Sequence, residues 1–276
     1  MFQLERYQII FRYFFLNYFR SRGFYFMLFF VLFISGIMAY ASFAYVNDLG
    51  NFISVSSGIP LDLKERFLEY FWGMFVPYIA LFASAFFGAG AIAGEIEDGT
   101  ANFTFSLPMN RHSLLVGKFA AAYVSSIFIS GIYYIAQSAV YTAIFHTLPS
   151  YPILLSFLIA MLFTVSILSI VFLLSSLFRR TLYASLSVVI LYFIVFQAMT
   201  LISEIFYNTV PQYLINNASG AIFNVYVGIT FSATGIIGTL QPAGASFIIY
   251  SSLVMACYAI ACIVASILIF ERRESL

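Results

Sequence analysis

Charge is what this sequence lacks most. Asp, Glu, Lys and Arg together make up 8% of its 276 residues, against about 25% in an ordinary soluble domain. Polar side chains too few to cover a globular surface exclude a soluble fold. No basic patch of useful size exists, which excludes nucleic-acid binding. The only histidines, His112 and His146, have no second histidine or carboxylate at ligand spacing, so no metal site is expected. Cys257 and Cys262 lie inside one apolar run, about 140° apart around a helix, and are expected to stay unpaired. No short apolar core with a small-residue cleavage site opens the chain, so a cleavable signal peptide is not expected. There is no nucleophile motif and no G-x-x-x-x-G-K-[ST] loop: Gly117-Lys118 is followed by Phe119 and lacks the upstream glycine. The chain has no engine of its own, and neither a catalytic residue nor a bound cofactor is expected on it.

What remains is 63% hydrophobic and 20% aromatic. Six stretches reach the roughly 20 apolar residues that span a bilayer: residues 24–46, 70–93, 119–145, 152–178, 181–203 and 245–270. None holds an Asp, Glu, Lys or Arg, each of which costs about 2.5 kcal/mol or more at mid-bilayer. The fold class is therefore all-α: a polytopic membrane protein with six transmembrane helices over a transmembrane domain of residues 24–276. Of the 12 Lys and Arg residues, all but Lys64 and Arg66 fall on one side of such a topology. The positive-inside rule then places both termini in the cytoplasm of a multi-pass cell-membrane protein.

Residues 1–23 read differently. Leu4, Tyr7, Phe11, Phe14 and Tyr18 form one stripe, with Arg6, Arg12 and Arg20 around the rest of the circumference. That pattern predicts an amphipathic helix in the membrane interface, with Gly23 breaking it where the chain turns into the bilayer. In the second span Ala85, Ala89 and Ala93 fall four apart, as do Gly90 and Gly94, a spacing that lets helices pack closely in lipid. Gln137 and Gln197 are the strongest polar groups inside spans, either as interhelical hydrogen-bond partners or as residues lining a pathway. The segment 204–244 has a single charge, Glu204, among Gly-interrupted apolar runs. It predicts short outer or re-entrant helices. Its Asn217-Ala218-Ser219 triplet is a potential glycan acceptor.

The connection 94–118, between the second and third spans, gathers Glu95, Glu97 and Asp98 on a face otherwise reserved for basic residues. Gly99-Thr100 marks a break with a potential cap, Pro108 a second break, and Arg111 the start of the helix leading to Lys118 and the third span. Glu95-x-x-x-Gly99-Thr100, Leu107-Pro108-x-x-Arg111 and Leu114-Leu115-x-Gly117-Lys118 together resemble the signature of ABC-2-type transporter permeases. One departure is Asn102-Phe103, where that family often carries a carboxylate. The resemblance implies a permease dimer, of like or unlike chains, coupled to a separate nucleotide-binding ATPase subunit that holds ATP and Mg. It also implies that 94–118 is the coupling segment, its exposed charges paired with basic residues of the ATPase. Export is the prevailing direction in that family. A non-transporting membrane scaffold and an ion-coupled secondary transporter are the competing readings. The second requires ion-binding residues within the spans.

Overall fold

The computed structural model describes residues 2–45, 61–97, 99, 111–149, 151–232, 235–239 and 242–272. Among them the chain is mostly helical, with turns between the helices and one short hairpin. Six helices are long and apolar enough to cross a membrane. In chain order the elements are α1 (Phe2–Arg20), α2 (Arg22–Tyr45), α3 (Leu61–Gly73), α4 (Val76–Ala89), α5 (Ala93–Glu97), α6 (Arg111–Phe145), α7 (Pro152–Leu177) and α8 (Thr181–Ile190). A π-helical turn (Leu191–Phe196) joins α8 to α9 (Gln197–Tyr207). Then come α10 (Ile215–Ala218), α11 (Ala221–Asn224), the antiparallel strands β1 (Gly228–Ser232) and β2 (Gly235–Thr239), and α12 (Ala245–Arg272).

The core is organised around α7, which packs against α4, α6, α8, α11 and α12. Its hydroxyls make that burial possible. Ser156, Thr164, Ser166, Ser169, Ser175 and Ser176 are all buried, and each is hydrogen-bonded to a backbone carbonyl, as an apolar surround demands. The close approach of α4 to α7 is made at Gly88, where a Cβ would stand 2.8 Å from Leu168 and from Val171. Ala85, Ala89 and Ala93 are buried on the same stretch, whereas Gly90 and Gly94 both face Thr181 of α8. By contrast α2, α8–α9 and α12 leave most of their apolar surface uncovered.

Two spans are broken in ways their hydropathy conceals. The second is interrupted at Met74–Phe75, because Pro77 offers no N–H and its ring clashes with the carbonyl four residues back, at Gly73. Gly73 also lets α11 approach, since a Cβ there would meet Phe223 at 3.0 Å. The fifth is loosened by the π turn, a feature that concentrates at functional positions. At the start of the bundle the break falls at Ser21 rather than at Gly23. The Ser21 hydroxyl donates to the Tyr18 carbonyl and accepts from Phe24 N–H. Gly23 lies within α2, where any side chain would collide with the Phe86 ring.

α1 packs along α6, with Tyr18 against Phe87 and Phe19 against Phe24 and Phe128. Segment 204–244 folds back on the helices: α10 and α11 are buried at Ile215, Ala218, Ala221 and Ile222, against α7, α3 and α12. The Asn217 amide donates to Thr200 and to the Pro211 carbonyl, both at 3.0 Å. A glycan takes the place of one of these two N–H groups, and both are in use.

Candidate functional site

The residues gathered by the unusual connection meet at the end of the bundle that carries Arg179 and Arg180. α4 stops at Ala89, and α5 starts at Ala93 after a turn through Gly90 and Ala91. Such a break strands backbone groups on both sides, and here one hydroxyl serves both. Ser175 of α7 donates to the Ala89 carbonyl (2.8 Å) and accepts from the N–H groups of Ile92 (3.2 Å) and Ala93 (3.0 Å). The turn is thereby stitched to the central helix.

Lys118 supplies the second tie. Its ammonium is buried, donates to the Ala91 carbonyl at 2.8 Å, pairs with the Glu95 carboxylate and lies 5.2 Å from the centroid of the Phe14 ring. α6 can carry a buried cation here because its 35 residues extend about 52 Å, well beyond a hydrocarbon layer of about 30 Å. Tyr18 stands close enough to Glu95 to be affected by it. Burial, and then the Glu95 charge, push its phenol well above the ordinary value, so it remains protonated. Glu97 makes the third tie, its carboxylate accepting from the backbone N–H of Thr181 at 2.9 Å. Thr181 is the first residue of α8, where an unpaired N–H and the helix dipole both favour an anion.

Glu95, Glu97, Lys118 and Ser175 thus join α5 and its turn to α1, α6, α7 and α8. Glu95 and Glu97 each have a partner within the chain, and Glu97 is also exposed. Their partners Lys118 and Thr181 are distant in sequence, and no local pattern announces them. Ser175 was missed for the same reason. Gly99 adopts φ +67° with open space around it, a backbone conformation suited to glycine. Arg111 opens α6. Asp98, Thr100 and Pro108 lie outside the described residues.

At the opposite end, Gln137 is buried and its amide donates to the Glu69 carbonyl at 3.5 Å. Glu69, just ahead of the predicted start of span two, is itself buried, so an ionisable side chain lies in the packed interior. Gln197 instead lines a cavity beside the π turn. Among the described residues no group of His, Cys, Asp and Glu could hold a metal, and both cysteines are free.

No curated protein matches the chain. A family model described as ABC-2 family transporter protein matches residues 15–275.

Proposed function

The chain belongs to the ABC-2 family of transporter proteins, and on that footing we propose that it is the permease subunit of an exporter driven by a separate ATPase. Two permease chains, alike or different, would enclose the pathway in the cell membrane, with both termini and the 94–118 connection in the cytoplasm. ATP and Mg2+ belong to the partner subunit in this reading, and the chain performs no hydrolysis of its own.

The observation that carries the proposal is the junction around α5. A short helix tied to four others transmits a tilt that a free loop would absorb. A push on the connection beyond Glu97 reaches α8 through Glu97–Thr181, α6 and α1 through Glu95–Lys118, and α7 through Ser175. Spans two and five, which contain the Pro77 break and the π turn, are the two that would yield. Their yielding would open the pathway outward after the ATPase closes on ATP. The uncovered faces of α2, α8–α9 and α12 are available to lipid and to the second permease. Gln197 is placed on the pathway in this reading, and Gln137 in its wall.

The test is co-expression with an adjacent-gene ATPase, followed by purification through a tag on this chain. A stable complex that hydrolyses ATP, against none for the permease alone, is the expected result. A chain that emerges from native membranes in several mild detergents with no ATPase attached would overturn the proposal.

A further inference from the structure

Helix α1 turns its cations outward. Phe14 lies against the buried Lys118 ammonium, Tyr18 against Phe87 and Phe19 against Phe128. Over its described part the aromatic stripe is therefore directed at α6 and α4. The face left exposed carries Arg12, Tyr13, Leu16 and Arg20. Arg12 and Arg20 stand about 12 Å apart along the axis and about 80° apart around it, with Leu16 between them. Past the break at Ser21, Arg22 is exposed at the head of α2. Among the described residues none of these three arginines has an ion pair or a side-chain hydrogen bond. The carboxylates described at this end, Glu95 and Glu97, are engaged by Lys118 and by the Thr181 N–H.

Below Arg22 an aromatic column begins. Tyr25, Phe26, Phe29 and Phe33 share one face of α2 with it and are all exposed. Phe29 and Phe33 stack with ring centroids 6.2 Å apart. From Arg22 to Phe33 the column runs about 16 Å, the depth of one leaflet of a hydrocarbon layer about 30 Å thick. A phospholipid standing on this face has its phosphate level with Arg20 and Arg22 and its chains on the rings. Guanidinium groups grip phosphate oxygens through a planar fork, and a headgroup of net negative charge brings no ammonium of its own to oppose the three cations. A second copy of the chain fits this face less well. Spanning the membrane in the same sense, it would bring its own Arg20 and Arg22 to the same depth, and a symmetric contact would set like charges together.

We propose that the junction of α1 and α2 is a binding site for an anionic phospholipid, with Arg20, Arg22 and Arg12 at the headgroup and Tyr25 to Phe33 along the chains. The topology proposed above puts the site in the cytoplasmic leaflet, where anionic lipids collect. The inference requires a chain that spans a membrane and does not require an ATPase, so it and the permease reading can fail separately.

The full chain, purified in mild detergent and offered equal amounts of phosphatidylglycerol and phosphatidylcholine with identical acyl chains, is read by native mass spectrometry. Phosphatidylglycerol is expected to be enriched at least about fivefold in the first bound lipid. Arg20→Gln with Arg22→Gln should lower the enrichment several-fold, and adding Arg12→Gln should bring it close to parity. Arg179→Gln with Arg180→Gln removes the same charge from another exposed turn at this end and should leave the enrichment in place. The fluorescence of Trp72, the only tryptophan, reports that each variant keeps its fold. In nanodiscs, phosphatidylglycerol with a photoreactive group in its chain should label residues 25–33 ahead of the other uncovered helices. Equal binding of the two lipids, or enrichment that survives the triple variant, would overturn the inference. So would enrichment that falls as far in the Arg179 and Arg180 variant, or labelling spread evenly over the uncovered helices. A Phe29→Cys chain without Cys257 and Cys262 that crosslinks to a second copy in lipid of either charge would also overturn it, by making this face a protein interface.

Discussion

Replacing Lys118 by Met probes the junction most sharply, because the two side chains are close in length and differ in charge. The Lys118 side chain is 4% exposed and that of Glu95 17%. The substitution removes a charge-assisted hydrogen bond to the Ala91 carbonyl, worth about 2 kcal/mol, and leaves Glu95 without its cation. Breaking a buried pair from one side costs roughly 3–5 kcal/mol in all. The residual exposure of Glu95 puts the expected loss near the low end, at about 3 kcal/mol. Glu95→Gln keeps an oxygen for the ammonium, and Lys118 keeps Ala91 and the Phe14 ring, so about 1–2 kcal/mol is expected. The double variant has no charge left to strand and should lose less than the two singles together, by about 2 kcal/mol. A double-mutant cycle of denaturant unfolding in mixed micelles measures this, with ATP hydrolysis of the complex read on the same four proteins. Strict additivity, or a Lys118→Met protein as stable as the parent, would refute the argument that this pair anchors α5.

Glu95→Lys sets a second ammonium against Lys118 and should be the most destabilising change in the junction, visible as loss of folded protein on size exclusion. Ser175→Ala strands the N–H groups of Ile92 and Ala93 and should cost about 2–3 kcal/mol in the same unfolding assay. Gly99→Val meets no atom within 4 Å, so its cost is backbone strain of about 1–2 kcal/mol; Gly99→Asn should recover most of the lost ATP hydrolysis, and equal loss in both would point to a steric cause instead. With Cys257 and Cys262 replaced, an impermeant thiol reagent added outside cells should label Leu148→Cys, an 85% exposed position, and leave Arg179→Cys untouched. The reverse pattern would invert the topology.

The scarcity of charge made the six long apolar helices readable directly, because hydrocarbon excludes ionised side chains whatever the tertiary context. The breaks within them were harder to see. Pro77 carries a local signal that a hydropathy window averages away, and the π turn at Leu191–Phe196 has no proline or glycine to announce it. At the junction the sequence pointed to Glu95, Glu97 and Lys118 by residue type. Who pairs with whom depends on helices brought together from far along the chain, such as Thr181 lying 84 residues from Glu97. Glu69 stands one residue ahead of the 70–93 stretch, and its burial comes from tertiary packing that no local pattern shows. The orientation of the Asn216 and Asn217 amides was beyond reach of the sequence, since it comes from Thr200 and Pro211.

Photo-crosslinking from the connection tests the central claim most directly. A photoreactive side chain at Ala101, with a second protein carrying it at Leu148 on the opposite side of the bundle, is activated in native membranes, and the adducts are identified by mass spectrometry. The account predicts an adduct between Ala101 and an ATP-hydrolysing subunit, strengthened when a non-hydrolysable ATP analogue closes that subunit, and no such adduct from Leu148. An ATPase captured from Leu148 and never from Ala101 would contradict it.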